Sequence, residues 1–455
     1  MKPKYFLALG LLVLGLGSCG ESFFEQYPSN NITEGNFYKT DDDFNQGVVA
    51  CYAKLKTQMS FHLTEIGYRG DENVLESMAV STQNRYDIDH FAETANNGIL
   101  NDIWNAWYNG IYRCNDVLDH MTGAKIANYD KYRGECLFLR SWWYFNLYRV
   151  FGVVPITRTV VTPAAAKLIP RCTEEEMYTL LTEDLAEAAR LLPPTPGPEK
   201  ARVANIAAYT LLAKVYLTFG KPAEAKTALE EAMKNTSYGL ESTTKKVFDV
   251  GNKMNREIIF ALYYNKTNDN GHGYWYSANT DVLADINNPT PTFKAIYDSE
   301  KDNRLPLISS YTKIKDNLFA MTKWYDTYDA TYTTQVGNDF PHLRYADVVL
   351  MYAEALAESG GSLGDALEWL NKTRTRAGLD ELTTDEVKSL AEFRRELAAE
   401  RGREFALEGH RWFDLVRLGL AVDYFREMGY SLDSHNLIFP IPQNQIEIVN
   451  NPSIL

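Results

Sequence analysis

The sequence predicts an all-α scaffold of helix pairs, from which irregular loops and short β-hairpins emerge to carry a ligand site. Three observations predict it. Apolar residues recur at three- and four-residue steps over most of the chain, the pattern of a buried helical stripe. Two stretches share a helix–turn–helix pattern with glycine at the turn. Long polar insertions rich in aromatics separate the periodic stretches, so an evenly spaced solenoid is excluded.

The first eighteen residues read as a secretory signal. Met1-Lys2-Pro3-Lys4 precedes an apolar run from Phe6 to Leu16, which is too short to span a bilayer. Leu16-Gly17-Ser18-Cys19 then resembles a bacterial lipobox, in which the cysteine becomes the lipidated N-terminus. Cysteine is scarce, five in 455 residues, so its placement there is informative. Cys19 is the expected acylated residue, and lipid is the expected membrane contact. Residues 19–40 form an extended leader, since Pro28, Ser29, Asn30, Asn31 and Thr33 are poor helix formers.

Helix begins at Asp41-Asp42-Asp43, acidic residues that suit a helix N-terminus, and continues through Val48, Cys51, Tyr52 and Leu55. Residues 65–98 break the period with Gly67, Gly70, Asn73, Ser81 and Asn84, interspersed with Tyr68, Tyr86, His90 and Phe91; this predicts a surface stretch. Helix resumes through Ile103, Trp104, Trp107, Ile111, Cys114 and Leu118. Another runs through Leu137, Trp142, Phe145 and Tyr148 to Gly152.

Residues 208–233 are the most regular, with Leu212-Ala213-Lys214-Val215-Tyr216, Gly220, Ala225, Leu229 and Ala232. Small residues where helices cross, a tyrosine between them and a turn glycine match a tetratricopeptide pair. Leu350-Met351-Tyr352-Ala353-Glu354-Ala355, Gly360-Gly361, Ala366, Leu367 and Leu370 repeat it. The insertion 237–340 carries Pro289, Pro291 and Pro306, with β-like runs at 258–264 and 319–325.

Composition and motifs exclude several functions. A net charge of −14 argues against nucleic acid. No C-x-x-C pair occurs; a Cys114–Cys136 bridge is compatible with adjacent helices, but buried free thiol is the commoner state. No two histidines lie three or four apart, and neither a Walker A sequence nor a G-x-S-x-G elbow occurs. The G-x-G-x-x-G of residues 15–20 lies in the signal, where no nucleotide fold can follow. Arg69-Gly70-Asp71 is a chance adhesion tripeptide. Asp41-Asp42-Asp43-Phe44-Asn45 fails the calcium-loop pattern, with Tyr52 at the twelfth position. In 400–417, Glu400, Glu404 and Glu408 alternate with arginines, which favours ion pairing over hydrolysis. Neither an enzyme nor a cofactor or metal is expected.

Trp104, Trp107, Trp142, Trp143, Trp369 and Trp412 fall on helical stripes and read as core. Tyr274-Trp275-Tyr276 differs, because it follows the glycine-rich Asp269-Asn270-Gly271-His272-Gly273 and has no amphipathic period. Exposed aromatics beside amides and carboxylates suit a sugar, whose C–H faces stack on rings while its hydroxyls are hydrogen-bonded.

These pieces together resemble one family, the SusD/RagB surface lipoproteins of Bacteroidetes. The segments that carry the resemblance are Cys19-Gly20-Glu21-Ser22-Phe23-Phe24-Glu25-Gln26-Tyr27-Pro28, Trp104 with residues 108–115, residues 340–355, residues 370–378, the 400–417 cluster, and Pro440-Ile441-Pro442. The resemblance implies an N-terminal part at 41–235 and a C-terminal part at 236–455, packed as one body behind the 1–18 signal and 19–40 leader. It implies a lid over a SusC-like TonB-dependent transporter in the outer membrane, facing the cell exterior. Such a lid captures oligosaccharides or polysaccharides or, in some members, peptides; a protein-interaction scaffold without a small ligand is the remaining alternative. The stretches comparable to the family's ligand loops are 68–90 and 272–279. They offer Tyr68, Arg85, Tyr86, Asp87, His90, Tyr274, Trp275, Tyr276 and Asn279 as candidate ligand contacts. Lys323-Trp324-Tyr325 resembles a strand preceding the 341–358 helix, which argues against Trp324 as a site residue.

Overall fold

A reciprocal cap starts the first helix, α1 (Asp41–Gly67): Thr40 Oγ1 accepts the Asp43 N–H at 3.2 Å, and Asp43 Oδ2 accepts the Thr40 N–H at 2.7 Å. Asp41 Oδ1 accepts the Asn128 N–H at 2.9 Å, and its Oδ2 accepts the Tyr132 hydroxyl at 3.0 Å. The acidic triplet therefore caps α1 and ties it to the start of α4 (Tyr129–Phe151). The computed structural model describes residues 37–72, 83–197, 200–265, 277–279, 289–315, 318–326 and 337–450.

The long helices stack in chain order. α3 (Gly98–His120) lies between α1 and α4, and α4 packs on α5 (Glu174–Leu191). α5 packs on α6 (Asn205–Thr218), and α6 on α7 (Pro222–Met233). α7 meets α8 (Tyr345–Glu358), which packs on α9 (Leu363–Arg376) and α10 (Leu390–Glu404). The two expected helix pairs are α6–α7 and α8–α9. They turn at Gly220 (φ 67°) and Gly360 (φ 82°), where a side chain would be strained. Close crossing needs a second glycine role: a Cβ on Gly110 would overlap the Trp143 ring, so α3 meets α4 only as glycine. One contiguous apolar core runs from Phe44 to Phe439 through every helix of the stack. Among the described residues no helix is long and apolar enough to cross a membrane.

Two small sheets interrupt the helices. β1 (Ile258–Leu262) pairs antiparallel with a strand at 340–344. A three-stranded sheet contains β2 (Ser277–Asn279), β3 (Tyr311–Lys315) and β4 (Leu318–Met321), with β4 in the middle. The strand at 340–344, β5, hands directly into α8 at Tyr345, so the helix expected over 341–358 begins four residues later. Lys323-Trp324 is a 3-10 turn rather than a strand, and Trp324 is buried.

Other expectations change as well. α1 runs on to Gly67, and a further helix, α2 (Gln83–Asp89), lies inside the stretch expected to be irregular. Cys51, Cys114, Cys136 and Cys172 are all free thiols, so no Cys114–Cys136 bridge forms. Five of the six tryptophans expected in the core are buried. Trp369 is half-buried, edge-on to Tyr352 at 4.6 Å between ring centroids.

The 400–417 cluster is a buried ion network. Glu404 accepts from Arg344 at 2.6 Å, from Arg304 at 3.0 Å and from Arg376. Glu400 accepts from Arg304 at 2.8 Å and from the Thr373 hydroxyl at 2.7 Å. Glu408 accepts from Arg344 at 2.8 Å and from Lys323 at 2.7 Å. Glu257 accepts from Arg344 at 2.8 Å and Arg376 at 2.7 Å. The helix supplies carboxylates at four-residue steps, and distant elements supply the cations. Burial alone would push the Glu404 carboxyl up, but Arg376, Arg344 and Arg304 outweigh it and hold it well below the usual range.

Removing one partner strands the others in a low dielectric. Arg344→Met is expected to cost about 3–5 kcal/mol in urea denaturation at pH 7. Glu404, Asp347 and Asp414 all have depressed pKa values from reference values of 4.5, 3.8 and 3.8. The stability they add is fully present above about pH 4.5 and is lost as pH falls below it. Urea midpoints measured from pH 7 down to pH 3 should fall along that course.

Candidate ligand-binding surface

The described part of the first candidate segment is α2 and its flanks. α2 ends at Phe91 in the left-handed region (φ 56°), a position that usually takes glycine. The ring repays the strain by packing against Trp412, Phe425 and Tyr430, with centroids at 5.8, 5.2 and 5.3 Å. Phe91 thereby fastens α2 to the helical body.

On α2 the half-buried Tyr86 and His90 rings stack 3.8 Å apart at 17°, with His90 Nδ1 3.0 Å from the Tyr86 carbonyl oxygen. Arg85 Nη2 donates to Glu65 Oε1 at 3.2 Å, and Asp87 accepts from Gln83 at 2.6 Å. Burial pushes the Glu65 carboxyl up to about 7, against the pull of Arg85. Tyr68 is a correction: it is 2% exposed beneath α2, so its ring packs in the core and cannot stack on a ligand. Arg69 and Asp71 are buried too. Arg69 pairs with Glu93 and donates to the Asn436 carbonyl, and Asp71 accepts from Arg411 at 2.7 Å.

Asn279 lies on β2, a strand rather than the expected loop, and pairs in register with Leu318. Tyr274, Trp275 and Tyr276 lie outside the described residues. The flanks of the two candidate segments meet: Thr290 Oγ1 donates to the Asp71 carbonyl at 2.8 Å. Asp71 and Thr290 therefore sit side by side, and residues 73–82 and 280–288 lie outside the described residues.

A groove of about 350 Å³ opens on α3, where sequence reasoning placed only core and repeat residues. Trp104, Tyr108 and Tyr112 line it at four-residue steps, with Asn105 beside them. The Tyr108 hydroxyl donates to the Pro155 carbonyl at 2.7 Å, and Tyr112 is 45% exposed. Gln445, on α13 after α11 (Arg411–Arg417) and α12 (Ala421–Glu427), donates to Asn105 at 3.1 Å. α13 spans Gln443–Val449. The groove's signal in the sequence was the third aromatic: a core stripe does not need Tyr112 among Asn109 and Arg113. Asn97 Nδ2 donates to the Asn84 carbonyl at 2.9 Å, which joins α2 to the start of α3.

Residues 27–217 match a family model described as "Starch-binding associating with outer membrane", and residues 303–453 match that of the SusD family. This chain belongs to the SusD/RagB family. A SusD-like protein P2 from Formosa agariphila is 25% identical over 99% of this chain and 98% of its own. A SusD superfamily crystal structure from Bacteroides vulgatus shares the fold at a TM-score of 0.75, 23% identity, 91% of this chain and 98% of that one. The surface glycan-binding protein A from Bacteroides thetaiotaomicron, solved with laminarihexaose, does so at a TM-score of 0.74, 21% identity, 92% and 99%.

Glu72, next to the first loop, accepts the Leu407 N–H at 3.1 Å; burial, then Asp71, pushes its carboxyl up to about 8. A raised carboxyl favours the fold while protonated, so stability falls as pH rises from about 4.5 to about 8. Glu72→Gln should remove that decline: the variant gains over wild type at pH 8 relative to pH 5 in thermal melts.

Proposed function

We propose that this SusD/RagB chain captures a glycan on the surface formed by residues 83–90 and the 272–279 segment. The observation that supports the proposal is the Thr290–Asp71 hydrogen bond, which brings the chain leading into residues 83–90 beside the chain that follows the 272–279 segment. The Tyr86–His90 stack offers an aromatic face, and the sequence of the 272–279 segment offers Tyr274, Trp275 and Tyr276 as further rings. Arg85 and Asp87, half-buried on α2, and Asn279 carry the kinds of group that bond sugar hydroxyls. The glycan-binding relatives support a sugar over a peptide. The α3 groove, with Trp104, Tyr108 and Tyr112 along it, is a second aromatic surface for a longer chain.

The family's outer-membrane association and the Cys19 lipobox support a lid tethered by lipid, facing the exterior and passing ligand to a SusC-like TonB-dependent transporter. Cys19→Ala should move the protein from the membrane fraction to the soluble fraction.

Titration calorimetry against laminari- and malto-oligosaccharides tests the ligand class. Trp275→Ala should weaken binding about tenfold, that is ~1.4 kcal/mol, with an unchanged melting temperature. Binding of peptides with no response to any glycan would overturn the proposal.

A further inference from the structure

A second, smaller pocket of about 270 Å³ lies between α4, α6 and α11, and it shares no lining residue with the α3 groove. Arg149, Lys214, His410, Phe413 and Ile438 line it, together with Asp414 and Arg417, which are paired with each other at 2.9 Å. We propose that it binds one oxyanion, a carboxylate or a sulfate, on Arg149.

The charge around the pocket does not balance. Lys214 and Arg401 share Asp347; Arg401 and Arg417 share Asp414, at 2.7 and 2.9 Å; Arg417 also pairs with Glu354. Those three cations face three carboxylates. Arg149 is the fourth cation in the same cluster, and among the described residues no carboxylate lies within ion-pairing distance of it. His410 does not alter the count, because burial and the neighbouring Lys214 hold its pKa well below the usual value and keep it neutral.

What Arg149 does have is an aromatic slot. Its guanidinium carbon lies 3.9 Å from the Phe413 ring centroid and 4.8 Å from that of Phe145. One terminal nitrogen donates to Asn146 Oδ1, while Nε is buried with no hydrogen-bond partner. An orphaned buried donor costs about 1–3 kcal/mol, so the site is electrostatically unfinished. Burial depresses the guanidinium pKa to about 9, outweighing the pull of the more distant Asp414 and Asp347 carboxylates. The slot accounts for how the plane is held, but two rings supply no net negative charge. A guanidinium held in a plane, with an ammonium close by, matches the flat oxygen pair of a carboxylate or an edge of a sulfate. The volume suits a charged head group rather than an oligosaccharide. This site stands apart from the glycan surface, and its test does not depend on that surface.

Sodium acetate and sodium methyl sulfate are titrated into the full chain at constant ionic strength set with chloride, because salts also act non-specifically on stability. Calorimetry should show saturable binding of at least one of them. If acetate alone binds, the ligand carries a carboxylate; if methyl sulfate binds more tightly, it carries a sulfate ester. Arg149→Gln should weaken binding at least about tenfold. Ile438→Glu keeps every pocket cation and places a carboxylate at the exposed rim, where Ile438 is 48% exposed. It should abolish the response even if Arg149→Gln fails to fold. No saturable binding by wild type, or binding by Ile438→Glu equal to wild type, would overturn the proposal.

Discussion

Buried charge at the base of the candidate loops is the constraint on which the rest depends. Asp71 uses its carboxylate for Arg411 and Tyr424 and its carbonyl for Thr290. Glu72 accepts from the Leu407 backbone, and Arg69 reaches Glu93 and the Asn436 carbonyl. Arg69, Asp71 and Glu72 thus gather contacts from α11, α12 and four further segments, at Glu93, Thr290, Leu407 and Asn436. Asp71 and Arg411 keep their charge far from water by pairing with each other, and burial favours the protonated form of Glu72, so a shift of the backbone there would break a buried ion pair. The Thr290 hydrogen bond to the Asp71 carbonyl belongs to that same held stretch.

The same logic organises the C-terminal half. Glu400, Glu404 and Glu408 lie on one face at the end of α10 and just beyond it, and they draw Arg304, Arg344, Arg376 and Lys323 from separate elements. An apolar core would hold these elements together, but it would not specify which arginine sits where. Paired charges do, because each wrong partner leaves a carboxylate unpaired.

Much of the scaffold was legible in the sequence because helix periodicity and turn glycines are local signals. The α6–α7 and α8–α9 pairs and the capped start of α1 were readable for that reason. The ion network was readable in kind but not in partners, since the spacing of Glu400, Glu404 and Glu408 says nothing about residues 304, 344 and 376. Tyr68 was misplaced because α1 continues through Gly67, and a glycine near a helix end does not always stop it. α2 was hidden by Asn84, Asp87 and Asp89, weak helix formers in sequence, of which Asp87 accepts from Gln83 one turn earlier. Strand β5 was read as the start of α8, because its residues 340–344 are short and wholly buried, without the alternation that marks a half-exposed strand. The α3 groove was missed for a tertiary reason: the 155–169 segment and α13 form its walls, and neither is near α3 in sequence.

The central claim is that the two excursions form one glycan site. A double-mutant cycle on Tyr86→Ala and Trp275→Ala, read by calorimetry against an oligosaccharide that binds wild type, tests it most directly. One shared site predicts a coupling energy of about 0.5 kcal/mol or more between the two positions. Independent, strictly additive effects, or loss of binding from only one of the two substitutions, would contradict it.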